Sequence, residues 1–97
     1  MKFLHITFHF EYSEDIEAIL DRHGIADFVR IPMVEAKDRD GKHYGNQVYP
    51  GSSSVVQAQV PEEELEPVLE DLRAFKESKD SHRHLRALVL PVEQYLE

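Results

Sequence analysis

The sequence predicts an α+β domain in which a four-stranded antiparallel sheet carries both helices on one face. Strand-like and helical stretches follow each other in the order strand, helix, strand, strand, helix, strand. Each strand-helix-strand half requires a right-handed crossover, which brings the two halves into one sheet. With 97 residues, 41% of them hydrophobic, the chain is long enough for one self-contained domain spanning residues 1–97.

Near the start of the chain, apolar residues recur at every second position. They are Leu4, Ile6, Phe8 and Phe10. This period predicts a strand over residues 4–10 with one buried face. The residues that alternate with them, and so belong to the other face, are Phe3, His5, Thr7 and His9.

The first helix and the second strand come next. Ser13 is a suitable N-cap for a short amphipathic helix, and Gly24 ends that helix. Residues 27–35 then have the composition of a strand. Pro32 lies within this strand and lacks an N–H donor, so we expect the strand at an edge of the sheet.

The second half of the chain repeats this pattern. Residues 55–60 and 85–90 predict the third and fourth strands, with an amphipathic helix between them. Pro67 is tolerated in a first helical turn, so we expect the regular helix to begin nearer Glu64 than Pro61. The whole order is the ferredoxin-like βαββαβ arrangement. It leaves one sheet face uncovered, and self-association would bury that face.

A long connection over residues 36–54 separates the second and third strands. It contains three glycines and a Pro-Gly pair and is nearly devoid of apolar residues, which predicts a loop. Such a long loop in a small domain indicates a role in binding a ligand or partner. Within it, residues 37–43 alternate in charge without the spacing of a calcium loop, so we expect a solvated tip.

Composition excludes several functions. The net charge of −8 disfavours binding to nucleic acid or to anionic membrane surfaces. Without cysteine there is no thiolate metal site and no thiol catalysis. Neither a membrane-spanning segment nor a signal peptide is evident, so we expect a cytoplasmic protein without membrane insertion. No nucleophile with a recognisable base is present, and we predict that the chain is not an enzyme.

Six histidines in a chain without cysteine suggest a metal site. His5 and His9 lie ~13 Å apart on one strand, too far to share an ion. In a trimer, however, three copies of one of them near the three-fold axis could bind zinc or copper, or the rings could simply fill a subunit interface. His82 and His84, if extended, point the same way ~7 Å apart. Because the last strand pairs with the first, His84 could also approach His9.

The same region supports an anion site as an alternative. Arg83 and Arg86 flank His84. These guanidinium groups repel a cation and favour an anion such as a nucleotide phosphate or a carboxylate.

Three short segments resemble the PII signal-transduction superfamily. They are Leu-Val-Leu-Pro-Val-Glu at 88–93, Tyr-Pro-Gly at 49–51 followed by Val-Val at 55–56, and Val-Pro at 60–61. The resemblance covers essentially the whole chain. It implies a trimeric ferredoxin-like regulator that senses small ligands, often adenine nucleotides. It also implies that the long loop docks on a client protein such as a membrane transporter or an enzyme.

The resemblance extends to individual residues. Arg86 occupies the place of a strand lysine that meets phosphate in the family, and Tyr49 matches a loop tyrosine that is modified in some members. Family members that bind nucleotides have a glycine-rich connection before the last strand, whereas residues 77–84 here contain no glycine. The resemblance and the basic cluster together make Arg83, Arg86, His84 and Tyr49 the candidate ligand-binding residues.

Three hypotheses follow from the sequence. The first is a PII-like homotrimer that binds a small anionic ligand, such as an adenine nucleotide, or a transition-metal ion at its subunit clefts. The second is a metal-binding protein linked to heavy-metal tolerance or efflux, with His5, His9, His82 and His84 as ligands. The third is a domain that binds only a protein partner.

Overall fold

A computed structural model describes residues 1–39, 41–43 and 52–96. The strands are β1 (Lys2–His9), β2 (Phe28–Val34), β3 (Ala36–Asp38), β4 (Gly41–His43), β5 (Ser53–Val60) and β6 (Arg86–Pro91). The helices are α1 (Ser13–Arg22) and α2 (Glu62–Ser78), with 3₁₀ turns at Phe10–Tyr12 and Asp80–His82. Within the described residues, neither helix has the length and apolar character needed to cross a membrane.

Four strands form one antiparallel sheet in the order β2-β5-β1-β6. Within the part of the chain that the structure describes, strands β3 and β4 pair only with each other and form a separate hairpin. The predicted α+β class, the four-stranded sheet and the pairing of the last strand with the first are therefore confirmed. The edge position predicted for β2 is confirmed as well.

The core lies between one sheet face and both helices. Its buried residues are Leu4, Ile6, Phe8, Ile16, Ile19, Leu20, Ile25, Val56, Ala58, Val60, Val68, Leu72 and Leu85. Alternation along β1 and β5 places every second side chain on this face, and the antiparallel register sets Leu4 opposite Ala58 and Ile6 opposite Val56. Both helices thus cover the same face, as the sequence predicts.

Among the described residues, no helix covers the other sheet face. Its β1 residues lie opposite β6 residues, with Phe3 paired with Leu90 and His5 with Leu88. Leu88 is 62% exposed and Leu90 is 53% exposed. Val29 on β2, which lies on the same face, is 57% exposed. This uncovered face, called the open face below, is therefore rich in exposed apolar side chains.

The boundaries of β1 and α1 differ from the predicted ones. Strand β1 ends at His9, and Phe10 belongs to the 3₁₀ turn that follows. Ser13 is the first residue of α1, and the N-cap position is occupied by Tyr12. The Ser13 hydroxyl donates to the Phe10 carbonyl at 2.9 Å and does not cap the helix. The helix end is as predicted. Gly24 has a φ of +71° and the Ile25 amide donates to the Leu20 carbonyl at 3.0 Å.

Helix α2 begins earlier than expected. It starts at Glu62, so Pro67 lies beyond the first turn and inside the helix. The proline removes one hydrogen bond of the helical ladder. Val68 and Leu72, which follow the proline, are fully buried, and their packing keeps the helix continuous.

Pro32 coincides with an irregularity of β2. The register with β5 shifts between Ile31 and Val34, and Met33 has a φ of 60°. An edge strand tolerates both the missing donor and the bulge, because only one of its sides pairs with the sheet.

The predicted loop is shorter than residues 36–54. Its first part forms the β3–β4 hairpin, and its last part belongs to β5, which begins at Ser53. Ser53 and Ser54 are buried, since the pairing of β1 with β5 continues as far as His9 opposite Ser53. The prediction of a solvated tip over residues 37–43 is wrong for Asp38 and His43, whose side chains are 11% and 21% exposed.

A polar cluster joins the end of α1 to α2. His23 Nε2 lies 2.6 Å from Asp71 Oδ2, and His23 Nδ1 lies 3.4 Å from Glu64 Oε2. Arg22 also approaches Asp71 Oδ2, at 3.5 Å. Arg22 and His23, at the end of α1, therefore share the Asp71 carboxylate of α2.

Replacing Asp71 with asparagine is expected to destabilise the protein at neutral pH more than in acid. The hydrogen bond with His23 holds the pKa of the Asp71 carboxyl below its ordinary value. A lowered pKa stabilises the fold above about pH 4, the pKa of an unfolded aspartate, and this stabilisation is lost as the pH falls through the lowered folded pKa. Urea unfolding at several pH values measures the difference. Asp27→Asn, at an exposed aspartate, is the control, and equal pH dependence of both variants would contradict the expectation.

Candidate anion site at the start of the last strand

Four basic side chains converge where α2 ends and β6 begins. A cleft of about 390 Å³ is lined by Asp38, Arg39, Lys76, Arg83 and Arg86. The chain as a whole carries a net charge of −8, so this local excess of positive charge is distinctive.

The local fold explains why these residues meet. Lys76 lies in the last turns of α2, and its ammonium group donates to the Leu85 carbonyl at 2.6 Å just before β6. Arg83 follows the Asp80–His82 turn and contacts the Asp80 carboxylate at 3.2 Å. Arg86 is the first residue of β6 and is exposed.

An apolar groove adjoins the basic cleft. It has a volume of about 510 Å³ and lies between α2 and β6. Its lining residues are Leu69, Leu72, Arg73, Lys76, Leu85, Arg86, Ala87, Leu88 and Val89. Lys76 and Arg86 line both the groove and the cleft, so the two form one continuous surface.

This surface suits a ligand with one anionic end and one flat, weakly polar end. Guanidinium groups bind phosphate or carboxylate through paired hydrogen bonds, and an ammonium group adds a point charge. An apolar groove beside them provides room for an aromatic ring system. Phosphate recognition here would use side-chain cations in place of the backbone amides of a glycine-rich loop.

The sequence predicted part of this cleft. Arg83 and Arg86 are brought together as expected, and both line it. Lys76 and Arg39 were missed. Helical spacing could have indicated Lys76, because it follows the buried Leu72 by four positions and so lies on the side of α2 that faces the sheet. Tyr49 lies outside the described residues, and its role stays a prediction.

His84 does not line the basic cleft. It lies beside the β3–β4 hairpin, where its Nδ1 is 3.1 Å from Asp38 Oδ2. The ring of His43 is 4.3 Å from that of His84. His84 and His9 both line one small cavity with Asp38 and His43, and the pairing of His84 with His9 at a metal ion stays a prediction.

The four histidines predicted as metal ligands do not converge within one chain. His5 lies 3.4 Å from the Gln57 side chain, and His9 accepts a hydrogen bond from the Glu11 amide at 3.3 Å. His82 is not extended but belongs to a 3₁₀ turn, so it does not point the same way as His84. The proposal that His5 or His9 meets its copies on a three-fold axis stays a prediction.

His82 has a structural role. It is 5% exposed, its ring stacks on Phe75 at 3.9 Å, and Tyr12 meets it edge-on at 4.5 Å. Its Nδ1 lies 2.6 Å from the Phe75 carbonyl, which can only accept, so Nδ1 carries the hydrogen. That nitrogen is therefore engaged in closing the turn after α2.

Replacing His82 with alanine is expected to lower the free energy of unfolding by about 1–3 kcal/mol, because it removes a buried hydrogen bond and a stacked ring. Urea unfolding measures this loss. His5→Ala, at a half-buried histidine of the open face, is the control and is expected to change the stability of the subunit less. An unchanged unfolding midpoint for His82→Ala would contradict the structural role.

Solved structures with the same fold include PII-like proteins. No protein-family model and no curated protein matches the sequence. CPII, a nitrogen regulatory PII-like protein from Thiomonas intermedia K12 bound to ADP, AMP and bicarbonate, is 26% identical, with a TM-score of 0.74 over 92% of this chain and 88% of CPII. CPII bound to ADP and bicarbonate gives 24% identity and a TM-score of 0.75, over 96% and 88% of the two chains. A PII-like signalling protein from Thermus thermophilus is 16% identical, with a TM-score of 0.64 over 91% of this chain and 82% of that one.

Proposed function

Because the chain is a divergent PII-like protein, we propose that it is a non-enzymatic regulator that binds an adenine nucleotide at the basic cleft. The phosphates occupy the cleft formed by Lys76, Arg83 and Arg86, and the adenine ring occupies the groove between α2 and β6. The chain acts in the cytoplasm as one domain.

The observation that carries this proposal is the continuity of the basic cleft with the apolar groove. Lys76 and Arg86 belong to both surfaces, so one molecule can place its anionic end against them and its ring along Leu69 and Leu88. An inorganic anion would need only the cleft. A nucleotide uses both surfaces, which favours it over a simple anion.

Bicarbonate is a candidate second ligand. CPII has been solved with ADP and bicarbonate bound together. A planar oxyanion of that size suits a guanidinium group, which donates two parallel hydrogen bonds. We therefore include bicarbonate among the ligands to be tested alone and after nucleotide.

Assembly as a homotrimer is part of the proposal. The open face exposes Val29, Leu88 and Leu90, and contact with copies of the same chain would bury them. Leu88 also lines the apolar groove, so trimer formation would place a neighbouring subunit beside the bound nucleotide.

The β3–β4 hairpin connects the ligand to a client protein. Asp38 and Arg39, at the turn of the hairpin, line the basic cleft, so an anion bound there contacts the base of the long connection. A ligand shifts such a segment only by its difference in affinity for two conformations. The client docked by this segment is a transporter or an enzyme.

The proposal is tested by calorimetric titration of the purified protein with ATP, ADP, AMP, cyclic AMP and bicarbonate, and by native mass spectrometry of the protein as purified. Saturable binding of at least one adenine nucleotide, with one site per subunit, supports the proposal. Absence of heat and of retained nucleotide with every compound would overturn it.

A further inference from the structure

We infer that Asp38, His43 and His84 bind one Zn²⁺ ion, which fastens the β3–β4 hairpin to the start of β6. These three residues differ from the histidines that sequence spacing suggested, with only His84 in common. The inference concerns a site that adjoins the basic cleft, with Asp38 at the border of both, and it does not depend on nucleotide binding.

The geometry is that of a partly formed tetrahedron. Asp38 Oδ2 lies 3.1 Å from His43 Nε2 and 3.1 Å from His84 Nδ1. One ligand atom from each residue can be chosen so that all three lie within 4.8 Å of one another. Ligands bonded to zinc at about 2.0 Å are separated by about 3.3 Å along the edges of a tetrahedron. Two of the three edges therefore already have nearly the required length.

The hairpin register brings two of the ligands to one side. Ala36 is paired with His43, and Asp38 lies two residues after Ala36 on the same face of β3. Asp38 and His43 are thus diagonal neighbours, and both face His84 in the connection before β6.

His43 provides a second and independent observation. Its Nε2 atom is buried, and within the described part of the chain it makes no hydrogen bond of acceptable geometry despite the nearby carboxylate. A buried imidazole nitrogen that lacks a hydrogen bond carries an energetic cost. A metal ion at this position would satisfy that nitrogen.

The surrounding space fits an ion. The cavity beside these residues has a volume of about 10 Å³, roughly enough for a single water-sized ligand. Two imidazoles and one carboxylate are ligands that zinc accepts, and a fourth position open to water or an anion is usual for three-ligand sites. Arg86 also lines this cavity, so the fourth ligand is expected to be anionic.

The consequence of binding is a restrained hairpin. Asp38 and His43 come from β3 and β4, whereas His84 precedes β6, so the ion links two parts of the chain that are not paired in the sheet. Hydrogen exchange of the amides in residues 36–39 and 41–43 is expected to slow when Zn²⁺ is bound.

The test uses tag-free protein treated with a chelator and titrated with Co²⁺ and then Zn²⁺. We expect the intense visible absorption of tetrahedral Co²⁺ at one ion per subunit, and its loss when Zn²⁺ displaces Co²⁺. Asp38→Asn, His43→Ala and His84→Ala are each expected to weaken Zn²⁺ binding by about 100-fold or more, since even outer partners of a metal site cost up to that much. His23→Ala, at a histidine of the cluster between α1 and α2, is the control and should bind as the wild type does.

The outcomes separate a metal site from a simple hydrogen-bonded pair. If Asp38, His43 and His84 only bond to one another, Co²⁺ gives no tetrahedral spectrum. The wild type, the three variants and His23→Ala then all bind Zn²⁺ equally weakly, which overturns the inference. The wild-type Co²⁺ spectrum needs no variant, so a variant that fails to fold does not obscure the result. If the wild-type protein binds Zn²⁺ but no nucleotide, the metal site is present and the proposed nucleotide site is not. If it binds nucleotide but no Zn²⁺, the nucleotide site is present and the metal site is not.

Discussion

Replacing Leu88 with aspartate is expected to prevent the proposed homotrimer from forming and to leave a monomer that is still folded. Leu88 projects from the open face, where it is 62% exposed in the single chain, so a charge there costs the subunit little. In a trimer that covers this face, the same carboxylate would be buried without a partner. An unpaired buried charge costs several kcal/mol in each interface.

Sedimentation or light scattering measures the change directly. Wild-type protein should have about three times the mass of the 11.3 kDa chain, and the variant should have the mass of one chain with unchanged circular dichroism. Ala74→Asp, which adds the same charge at an exposed position of α2, is the control and should stay trimeric. A wild-type monomer, or a Leu88→Asp variant of unchanged mass, would contradict the trimer.

The fold was predictable because its signals are periodic and mutually consistent. The alternation in β1 and the apolar stripe of α2 each indicate one buried face, and the strand order restricts the topology to a few possibilities. The side-chain chemistry at the start of a helix was a less reliable guide to where the helix begins. Ser13 has the side chain of an N-cap, yet the preceding 3₁₀ turn moves the helix start so that its hydroxyl meets the Phe10 carbonyl instead.

The β3–β4 hairpin was hidden by its composition. Residues 36–43 contain mostly charged side chains, which resemble a solvated loop in any reading based on hydrophobicity. Their pairing is local and their burial comes from contact with the segment before β6, which is distant in sequence. Tertiary contacts of this kind leave no period for sequence reasoning to detect.

The sequence predicted those residues of the candidate site that lie close together along the chain. Arg83 and Arg86 are close along the chain, so their cluster was visible. Lys76 enters from α2 and Arg39 from the hairpin, and only the fold brings them to the same cleft. His84 was assigned to the anion site because of its neighbours, but the turn at Asp80–His82 directs it toward Asp38 instead.

Replacing both Arg83 and Arg86 with glutamate is expected to have the second large effect, which is a loss of anion binding at the basic cleft. ADP affinity should fall by at least about 100-fold, whereas the fold and the trimer should persist. Each charge-assisted hydrogen bond contributes about 1.5–3 kcal/mol, and 1.4 kcal/mol corresponds to a tenfold change in affinity. Reversing the charge adds repulsion of the phosphates to the loss of these bonds.

Calorimetry with ADP measures the loss, and a double variant of equal charge change serves as the control. Lys37→Glu with Lys79→Glu alters two exposed lysines near the cleft that do not line it. If ADP is held by the cleft, the control should lose only the long-range part of the attraction, which added salt screens. Equal losses in the two double variants would mean that net charge, and not the geometry of Arg83 and Arg86, governs binding. Unchanged ADP affinity in the arginine variant would place the nucleotide elsewhere on the protein.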